Sequence, residues 1–464
     1  MSKPKLGVLA LTLDFYETLV PTLRTEREAW LRNDALAAFP DTVELEFGDA
    51  VFTRPTIDAE VARLEAAGCD GLMVVLLTYS PSQLSLPALS RTRLPIIVWN
   101  TQELLAVDDS FTTAAMIDNH GVHGTQDLCN VLGRHNVPFE YVTSHLSDDG
   151  ATDELVDFAF AAAARTRLSS ARLGLIGYPF PGMGDFAMDT THLATTLGCE
   201  WLNIPLEEYI TRTDAAMGSV ADLVATYRAA YTIADDVTEA DLTVTAATEL
   251  AMRGIVADHA LDGLTYQFLA FGQDDRTQTV PFVGISRMMG EGVGFGGEGD
   301  LIATAGSLML NTLATPASFC EAFTTDFAGN GLFMSHMGES SVAMARADTP
   351  IKFVARSGPI TKTRERQCQL VTSYEPGPAT FCALTLGANQ TWRLIVSHME
   401  IADWGPLPDM EVPHYKLLAA TDIRDWLTAY AQMGGPHHAG ICFGDARNRL
   451  AMVASMLDAD YVEI

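Results

Sequence analysis

Short runs rich in apolar residues alternate with amphipathic segments through the first third of the chain. The apolar runs lie at 6–11, 43–47, 71–77 and 95–99, and apolar residues recur at helical spacing between them, for example at Ala59–Ala67. Buried strands that alternate with helices are typical of a parallel sheet covered on both faces. The chain is therefore predicted to begin with a parallel-sheet α/β domain.

The pattern changes twice further along the chain. RLGLIG at 172–177 predicts the first strand of a second α/β unit, which continues with mostly helical periodicity over 185–260. The final third contains the runs IKFVAR, CQLVTSY, ATFCALTLG and TWRLIVSHMEI between turn residues, which predict an antiparallel sheet or barrel. We therefore predict two Rossmann-like parallel-sheet α/β domains, at 1–168 and 169–315, followed by a β-rich, barrel-like antiparallel C-terminal domain at 316–464.

Composition excludes several classes of function. With 59 acidic and 29 basic residues the formal net charge is −30, so nucleic acid and membrane surfaces are not expected as partners. No stretch approaches about 18 uncharged apolar residues, so no transmembrane segment is expected. The seven cysteines are dispersed without a C-x-x-C pair, which predicts no disulfide framework and fits a reducing compartment. A cytoplasmic protein is the resulting expectation.

A glycine-rich segment at 290–300 is the most distinctive motif. Its residues 292–297, GVGFGG, match the pattern G-x-G-x-x-G, but dinucleotide binding requires a strand directly before the glycines and a helix after them. Val280–Met289 predicts a helix instead, so we interpret the match as accidental. Glu298 is followed two residues later by Asp300. Glu298 is interpreted either as a metal ligand or general acid/base held on a constrained loop, or as an acid on a turn that faces water. The residues alone leave both interpretations open.

Three further motifs carry possible metal ligands. Glu321 ends the β-like run SFCE, His336 lies among apolar residues in MSHMGE, and His437 and His438 lie in the loop GGPHH. A single histidine among apolar residues, such as His336, is more often a core residue than a ligand. Two carboxylates with two histidines nevertheless suit a divalent cation such as Mn²⁺. Spacing alone does not show that these residues meet.

Taken in order, GVGFGGEGD, SFCE, MSHMGE and GGPHH resemble the motif series of bacterial L-arabinose isomerases, at similar spacing. TLDFYETL, WNTQE, NHGVHG and Pro181–Met183 also have counterparts in that family, and L-fucose isomerases are more distant relatives. The resemblance implies a metal-dependent aldose–ketose isomerase acting on a monosaccharide. The implied reaction converts L-arabinose to L-ribulose, or a related sugar to its ketose, through an enediol.

The resemblance also implies roles for individual residues. The implied metal is Mn²⁺, or another divalent cation such as Co²⁺ or Mg²⁺, and its implied ligands are Glu298, Glu321, His336 and His438. The two glutamates are the implied proton-transferring pair. The residues implied for the sugar pocket are Gln102, Met183, Phe271, His437, Leu13 and Tyr16. Leu13 stands where arabinose isomerases carry glutamine, and leucine cannot bond a sugar hydroxyl, so a changed sugar preference is expected.

The resemblance further implies a homo-oligomer, a hexamer built from trimers, in which first-domain residues complete a neighbour's site. Two other functions compete with the isomerase. A sugar-binding protein on the same scaffold would have no need of the cation, so metal content separates it from the enzyme. A metal-dependent hydrolase or aldolase could use the same ligands, but hydrolysis also needs a positioned water and a leaving-group acid, for which the sequence offers no further motif.

Overall fold

The structure is a computed structural model that describes residues 3–356 and 363–464. The chain divides into two units, Met1–Thr166 and Arg167–Ile464. The predicted boundaries after residues 168 and 315 stay predictions. No helix within the described ranges is both long and apolar enough to cross a membrane.

The first unit is built on a five-stranded sheet in which every strand pair is parallel, in the order β2-β1-β3-β4-β5. Its strands are β1 (Lys5–Leu11), β2 (Glu44–Phe47), β3 (Gly71–Leu76), β4 (Ile96–Asn100) and β5 (Glu140–Thr143). Its helices are α1 (Asp14–Leu19), α2 (Leu23–Trp30), α3 (Arg54–Ala66), α4 (Ser82–Leu89), α5 (Thr113–Asp118), α6 (Val122–Arg134) and α7 (Asp153–Ser170), within which the division between the units falls.

Burial follows the position of each strand in this sheet. All six residues of β3 are buried, as the apolar run at 71–77 predicts for a strand with neighbours on both sides. The run at 43–47 forms a strand as predicted, but the strand is not buried, because β2 lies at the sheet edge and Glu44 is exposed. Ligand sites in such sheets lie beyond the carboxyl ends of the strands.

The second unit begins with a four-stranded parallel sheet, in the order β10-β9-β6-β7. The strands of this part are β6 (Arg172–Ile176), β7 (Glu200–Ile204), β8 (Thr232–Ile233), β9 (Gly263–Tyr266) and β10 (Gly294–Gly296). Its helices are α8 (Thr190–Thr196), α9 (Leu206–Ala216), α10 (Ala221–Ala230), α11 (Glu239–Asp258), α12 (Phe268–Gly272), α13 (Phe282–Gly290) and α14 (Leu301–Leu313).

The rest of the second unit is a closed antiparallel barrel of six strands, which confirms the predicted fold class. The chain adds β11 (Ala317–Asp326), β12 (Gly331–Ser335), β13 (Lys352–Ala355), β14 (Cys368–Val371), β15 (Gly377–Leu386), β16 (Trp392–Ile401), β17 (His414–Ala419), α15 (Ile423–Gln432), β18 (His438–Phe443), α16 (Arg447–Leu457) and β19 (Asp460–Glu463). The barrel order is β15-β18-β11-β12-β17-β16, and pairing of β16 with β15 closes it. β19 adds in parallel to β16.

Two of the predicted β-runs lie outside the barrel. β13 and β14, from IKFVAR and CQLVTSY, form a separate three-stranded sheet with the two-residue strand β8. Residues 357–362, which follow β13, lie outside the described residues. The seven cysteines form no disulfide, and all except Cys129 are buried.

Candidate metal centre

The four residues predicted as ligands come together in the second unit. Glu321 lies within β11, where it pairs with His438 of β18 on one side and with Ser335 of β12 on the other. His336 follows directly after β12, and Glu298 lies in a short turn directly after β10. Adjacent strands thus supply one glutamate and two histidines, and the end of the parallel sheet supplies the second glutamate.

Two details of the prediction are wrong. Glu321 does not end its strand, because the ladder between β11 and β12 continues to Asp326. His438 is not in a loop, because it is the first residue of β18, and only His437 precedes the strand. Both errors arise because residues from other parts of the chain, rather than the local sequence, decide where a ladder begins and ends.

The facing atoms form two overlapping groups around His438. Nε2 of His336 lies 3.8 Å from Oε2 of Glu321, and Nε2 of His438 lies 3.7 Å from Oε2 of Glu298. The potential ligand atoms within each group lie within 4.8 Å of one another. One group contains Glu321, His336 and His438, and the other contains Glu298, His437 and His438. Two carboxylates and the imidazoles therefore converge on one small volume.

Each imidazole of the cluster is oriented by a carboxylate on its other nitrogen. Nδ1 of His336 donates to Glu339 at 2.6 Å, Nδ1 of His438 donates to Asp300 at 2.9 Å, and Nδ1 of His437 donates to Asp185 at 2.5 Å. Metal-binding histidines typically have such a partner, which fixes the tautomer and turns Nε2 toward the ion. Glu339 is itself held by the hydroxyl of the fully buried Tyr266, and Asp300 also caps α14.

The residues fit a divalent cation. Nε2 of His437 and Nε2 of His438 are buried and have no hydrogen-bond partner in the part of the chain that the structure describes. Buried polar atoms without a partner are rare, so Nε2 of His438 is available to a cation and Nε2 of His437 to a cation or another bound group. Imidazole nitrogens and carboxylate oxygens without a thiolate are a donor set that suits Mn²⁺, Co²⁺ or Zn²⁺.

Aromatic rings enclose two of the histidines. Phe319 of β11 places its ring at a steep angle to His336 and to His438, with ring centres 4.9 Å apart in both pairs. Phe186, from the loop after β6, stacks on His438 with ring centres 5.5 Å apart. This packing keeps His438 almost completely buried, with 1% of its side chain exposed.

The glycine-rich segment allows close packing of the loop after β6, and its surroundings do not match a dinucleotide-binding motif. A strand, β10, lies inside the motif, and α13 precedes it, which supports the interpretation that the match is accidental. Glu298 has a φ of 60°, a left-handed conformation that costs energy for a residue with a side chain. At Gly299 a Cβ would lie 2.7 Å from Cα of Pro179 and from the carbonyl oxygen of Tyr178. The glycines let the loop after β6 pass directly over the turn that presents Glu298.

Electrostatics distinguish the two glutamates. Burial opposes ionisation of Glu298, but the nearby His437, His336 and His438 outweigh it and lower the pKa of Glu298. At Glu321 burial outweighs the attraction of the same histidines and raises the pKa. The carboxylates of Glu298 and Asp185 raise the pKa of His437 to about 9. The two neighbouring carboxyl groups therefore differ in proton affinity.

Replacing Gly297 by alanine is expected to weaken binding of Mn²⁺. A Cβ there would lie 3.1 Å from Nε2 of His336 and 3.1 Å from Cζ of Phe319, so both rings would have to move. Because metal sites tolerate little misplacement of a ligand, we expect the Kd for Mn²⁺ to rise by about 10-fold, measured by calorimetry. Gly218→Ala, with open space around its Cβ, is the control. Equal Kd values for both variants would contradict the expectation.

The other predicted pocket residues are distributed over both units. Met183 lies half-buried in the loop after β6, the same loop that carries Phe186. Phe271 of α12 is fully buried and packs between Tyr209 and Tyr266, with ring centres 4.9 Å and 5.3 Å away. Its side chain has no exposed surface in this chain, so its role in a sugar pocket stays a prediction.

Three predicted pocket residues belong to the first unit, beyond the carboxyl ends of two strands. Leu13 lies between β1 and α1, and the hydroxyl of Tyr16 lies 2.8 Å from Nε2 of His120. Gln102 follows β4 and donates to the carbonyl of Leu104 at 2.7 Å. It lines a cavity of about 360 Å³ with Thr143, His145 and other residues of this unit.

Sequence reasoning did not identify all the residues of the cluster. Asp185 and Glu339 were not assigned a role, and Asp300 was noted only as a neighbour of Glu298. The available signal was proximity in sequence, since Glu339 follows His336 by three positions in MSHMGE and Asp300 follows Glu298 by two. Nothing in the sequence connects Asp185 to His437, which lies 252 positions further on.

Comparison with known proteins gives two matching domain families. The model of the L-arabinose isomerase central domain matches residues 187–315, and the model of the L-arabinose isomerase C-terminal domain matches residues 316–460. The second range contains Glu321, His336 and His438, and the first contains Glu298. The candidate ligands therefore lie entirely within the matched part of the chain.

Whole-length relatives agree with the domain matches. The L-arabinose isomerase of Acidothermus cellulolyticus is 26% identical over 415 residues, which cover 85% of this chain and 80% of that protein. The enzyme of a Nocardioides species is 25% identical over 417 residues, which cover 85% of this chain and 80% of that protein. The enzyme of Aeromonas hydrophila is 26% identical over 428 residues, which cover 85% of this chain and 81% of that protein. The similarity is low in identity and extends over most of both chains.

Proposed function

The chain belongs to the L-arabinose isomerase family as a divergent member, and on that premise we propose that this sugar isomerase converts an aldose to its ketose at the cluster around Glu298, Glu321, His336 and His438. L-Arabinose and L-ribulose, or a closely related sugar pair, are the proposed substrate and product. The observation that carries the proposal is the convergence of two carboxylates with histidine Nε2 atoms that lack a partner in the described residues.

The proposed cofactor is a divalent cation, with Mn²⁺ first and Co²⁺ or Mg²⁺ as alternatives. Glu298, Glu321, His336 and His438 would hold it, because they offer two carboxylate oxygens and two oriented nitrogens within the cluster. When bound, the cation supplies a Lewis acid that polarises the sugar carbonyl and stabilises negative charge that develops on the oxygens.

The two glutamates are proposed to move the protons. Isomerisation moves a hydrogen from C2 to C1 and a proton between the oxygens O2 and O1. One carboxylate takes the proton from C2 and returns it to C1 of the enediol, while the other transfers the hydroxyl proton, so both glutamates end the cycle as they began it.

The sugar pocket is proposed to include His437 and Met183 near the cluster. Nε2 of His437 lies 3.8 Å from Oε2 of Glu298, so the imidazole can bond a sugar oxygen held between the carboxylates. Phe271 is proposed as a further pocket residue on the strength of the family resemblance, and Gln102, Leu13 and Tyr16 are proposed to contribute to the pocket of a neighbouring subunit. Leu13 lacks the amide of the glutamine that L-arabinose isomerases are expected to carry at this position. We therefore propose that one sugar hydroxyl is bound differently here than in L-arabinose isomerases.

We also propose the three-domain division at 168 and 315, a homo-oligomer built from trimers, and a cytoplasmic location. The abutment of the two family models at 315 and 316 supports the second domain boundary. The absence of disulfides among seven cysteines supports a reducing compartment. The oligomer is proposed from the family resemblance, and sedimentation analysis of the purified protein tests it.

Metal-dependent ketose formation is the test of the proposed function. Protein stripped with EDTA is expected to form no ketose, and added Mn²⁺ is expected to restore turnover of at least one sugar. The panel should contain aldopentoses, aldohexoses and 6-deoxy sugars, because the replacement at Leu13 leaves the preferred sugar open. Binding of Mn²⁺ without turnover of any sugar would favour a hydrolase or aldolase reaction at the same site. Failure to bind any divalent cation would contradict the proposed ligand set.

A further inference from the structure

We propose that Asp185 is a positioning residue that holds the imidazole of His437 in the one orientation that presents Nε2 to the sugar. The proposal rests on the proposed function in assigning His437 to the sugar pocket. It concerns a carboxylate that is neither a candidate ligand nor part of the proton-transferring pair.

One oxygen of Asp185 makes two bonds to the same histidine. Oδ2 accepts from the backbone N–H of His437 at 3.0 Å and from Nδ1 of its ring at 2.5 Å. The first bond fixes the main chain directly before β18, and the second fixes the ring relative to that main chain. Together they restrict rotation about both side-chain torsions of His437.

The segment that carries Asp185 is itself attached to the cluster. The backbone N–H of Phe180 donates to the carbonyl of Glu298 at 3.0 Å, and the ring of Phe186 stacks on His438. The segment is therefore attached to the cluster on both sides of Asp185, although the Asp185 side chain itself is 36% exposed. A further contact holds the GGPHH loop, because the hydroxyl of Tyr430 donates to the carbonyl of Pro436 at 2.6 Å.

The orientation of the ring decides which atom faces the carboxylates. With Nδ1 bound to Asp185, Nε2 is the ring nitrogen left to face Oε2 of Glu298, and it is buried without a partner in the described residues. Without Asp185 the imidazole could rotate by about 180° about its Cβ–Cγ bond, which exchanges the places of its nitrogen and carbon atoms. Nε2 would then no longer face the sugar.

Asp185 should affect the sugar and leave the metal nearly unchanged. The ligand His438 has its own orienting carboxylate, Asp300, and His336 has Glu339. Loss of Asp185 removes neither of these pairs. This separation allows a positioning role toward the sugar to be distinguished from a general role in building the cluster.

The experiment compares the full-length protein with Asp185→Asn, Asp185→Glu, His437→Gln and the double variant of Asp185→Asn with His437→Gln. The control is Asp189→Asn, an exposed acid in the same loop whose side chain caps α8. Calorimetry measures the Kd for Mn²⁺, and then the Kd of the Mn²⁺-loaded protein for L-arabinitol, a reduced sugar that cannot react. kcat and KM are measured with the best sugar of the panel.

We expect the Kd of Asp185→Asn for Mn²⁺ to stay within about threefold of the wild-type value. Its Kd for L-arabinitol and its KM should each rise about 10-fold, because one charge-assisted hydrogen bond is lost. Asp185→Glu should recover part of that loss, and Asp189→Asn should match the wild type. The double variant should be no weaker than His437→Gln alone, since Asp185 acts through His437. Additive losses, or an equal loss of Mn²⁺ affinity, would overturn the proposal.

A crystal structure of Asp185→Asn separates this proposal from the proposed function. If the wild type neither binds L-arabinitol nor turns over any sugar, the proposed function fails. The positioning role is then judged from the His437 ring, which is expected to turn or to occupy several orientations in the variant. A ring unchanged from the wild type would overturn the positioning role, whatever the activity.

Discussion

Replacing Glu321 by glutamine is expected to lower kcat for ketose formation by about 10³-fold, the range that loss of a proton-transferring group produces. Glutamine has nearly the same shape, but it can neither accept a proton nor contribute negative charge to the cluster. Oε2 of Glu321 lies 3.8 Å from Nε2 of His336, within the group of potential ligand atoms that Glu321 forms with His336 and His438. Steady-state kinetics with saturating Mn²⁺ measure the effect.

The control for this prediction is Glu400→Gln. Glu400 is an exposed glutamate of β16, a strand of the same barrel, and it lies outside the candidate cluster. The same change of charge at this position is expected to leave kcat within about twofold of the wild type, as for most surface substitutions. A Glu321→Gln variant with nearly full kcat would contradict the proposed acid/base pair.

Replacing Asp300 is expected to separate metal affinity from stability. Oδ2 of Asp300 accepts from Nδ1 of His438, and Oδ1 accepts from the backbone N–H of Ala303 as the N-cap of α14. Asparagine remains a good N-cap but lacks the charge that orients the imidazole, so we expect the Kd for Mn²⁺ to rise about 10- to 100-fold. Alanine should lose both contacts and lower the free energy of unfolding by about 1 kcal/mol more than asparagine.

Calorimetry and urea unfolding of the metal-free protein test the two effects separately. Metal-free protein is needed because a bound cation would itself stabilise the folded state. Asp422→Ala removes the N-cap of α15, a residue outside the candidate cluster, and provides the matched control for stability. If Asp300→Asn binds Mn²⁺ as tightly as the wild type, Asp300 only caps the helix.

The central strands of the first parallel sheet could be predicted because they are coded locally. β3 and β4 are nearly uninterrupted apolar runs, as strands with neighbours on both sides require. The separate sheet of β13 and β14 could not be predicted, because their third partner, β8, has two residues and leaves no recognisable run. Closure of the barrel depends on pairing between β15 and β16 and between β15 and β18, which periodicity within one strand does not encode.

The candidate ligands were predictable as residue types, but their meeting was implied only by the family resemblance. Glu321 and His438 lie far apart in sequence, and the register between β11 and β18 brings them side by side. Glu298 was recognisable among its glycines, while its left-handed backbone was not. Asp185 was missed because an acid in an irregular loop has no periodicity, and its partner belongs to the other end of the second unit.

The strand that begins with His438 has a consequence for how the chain folds. β18 lies between β11 and β15, so until residues 438–443 are in place both of those strands present an unpaired edge. Pairing across such long stretches of chain is slow, and open strand edges favour association with other chains. A nascent chain that ends before β18 would therefore both lack a ligand and expose two aggregation-prone edges. Arrival of these six residues removes both edges in a single step.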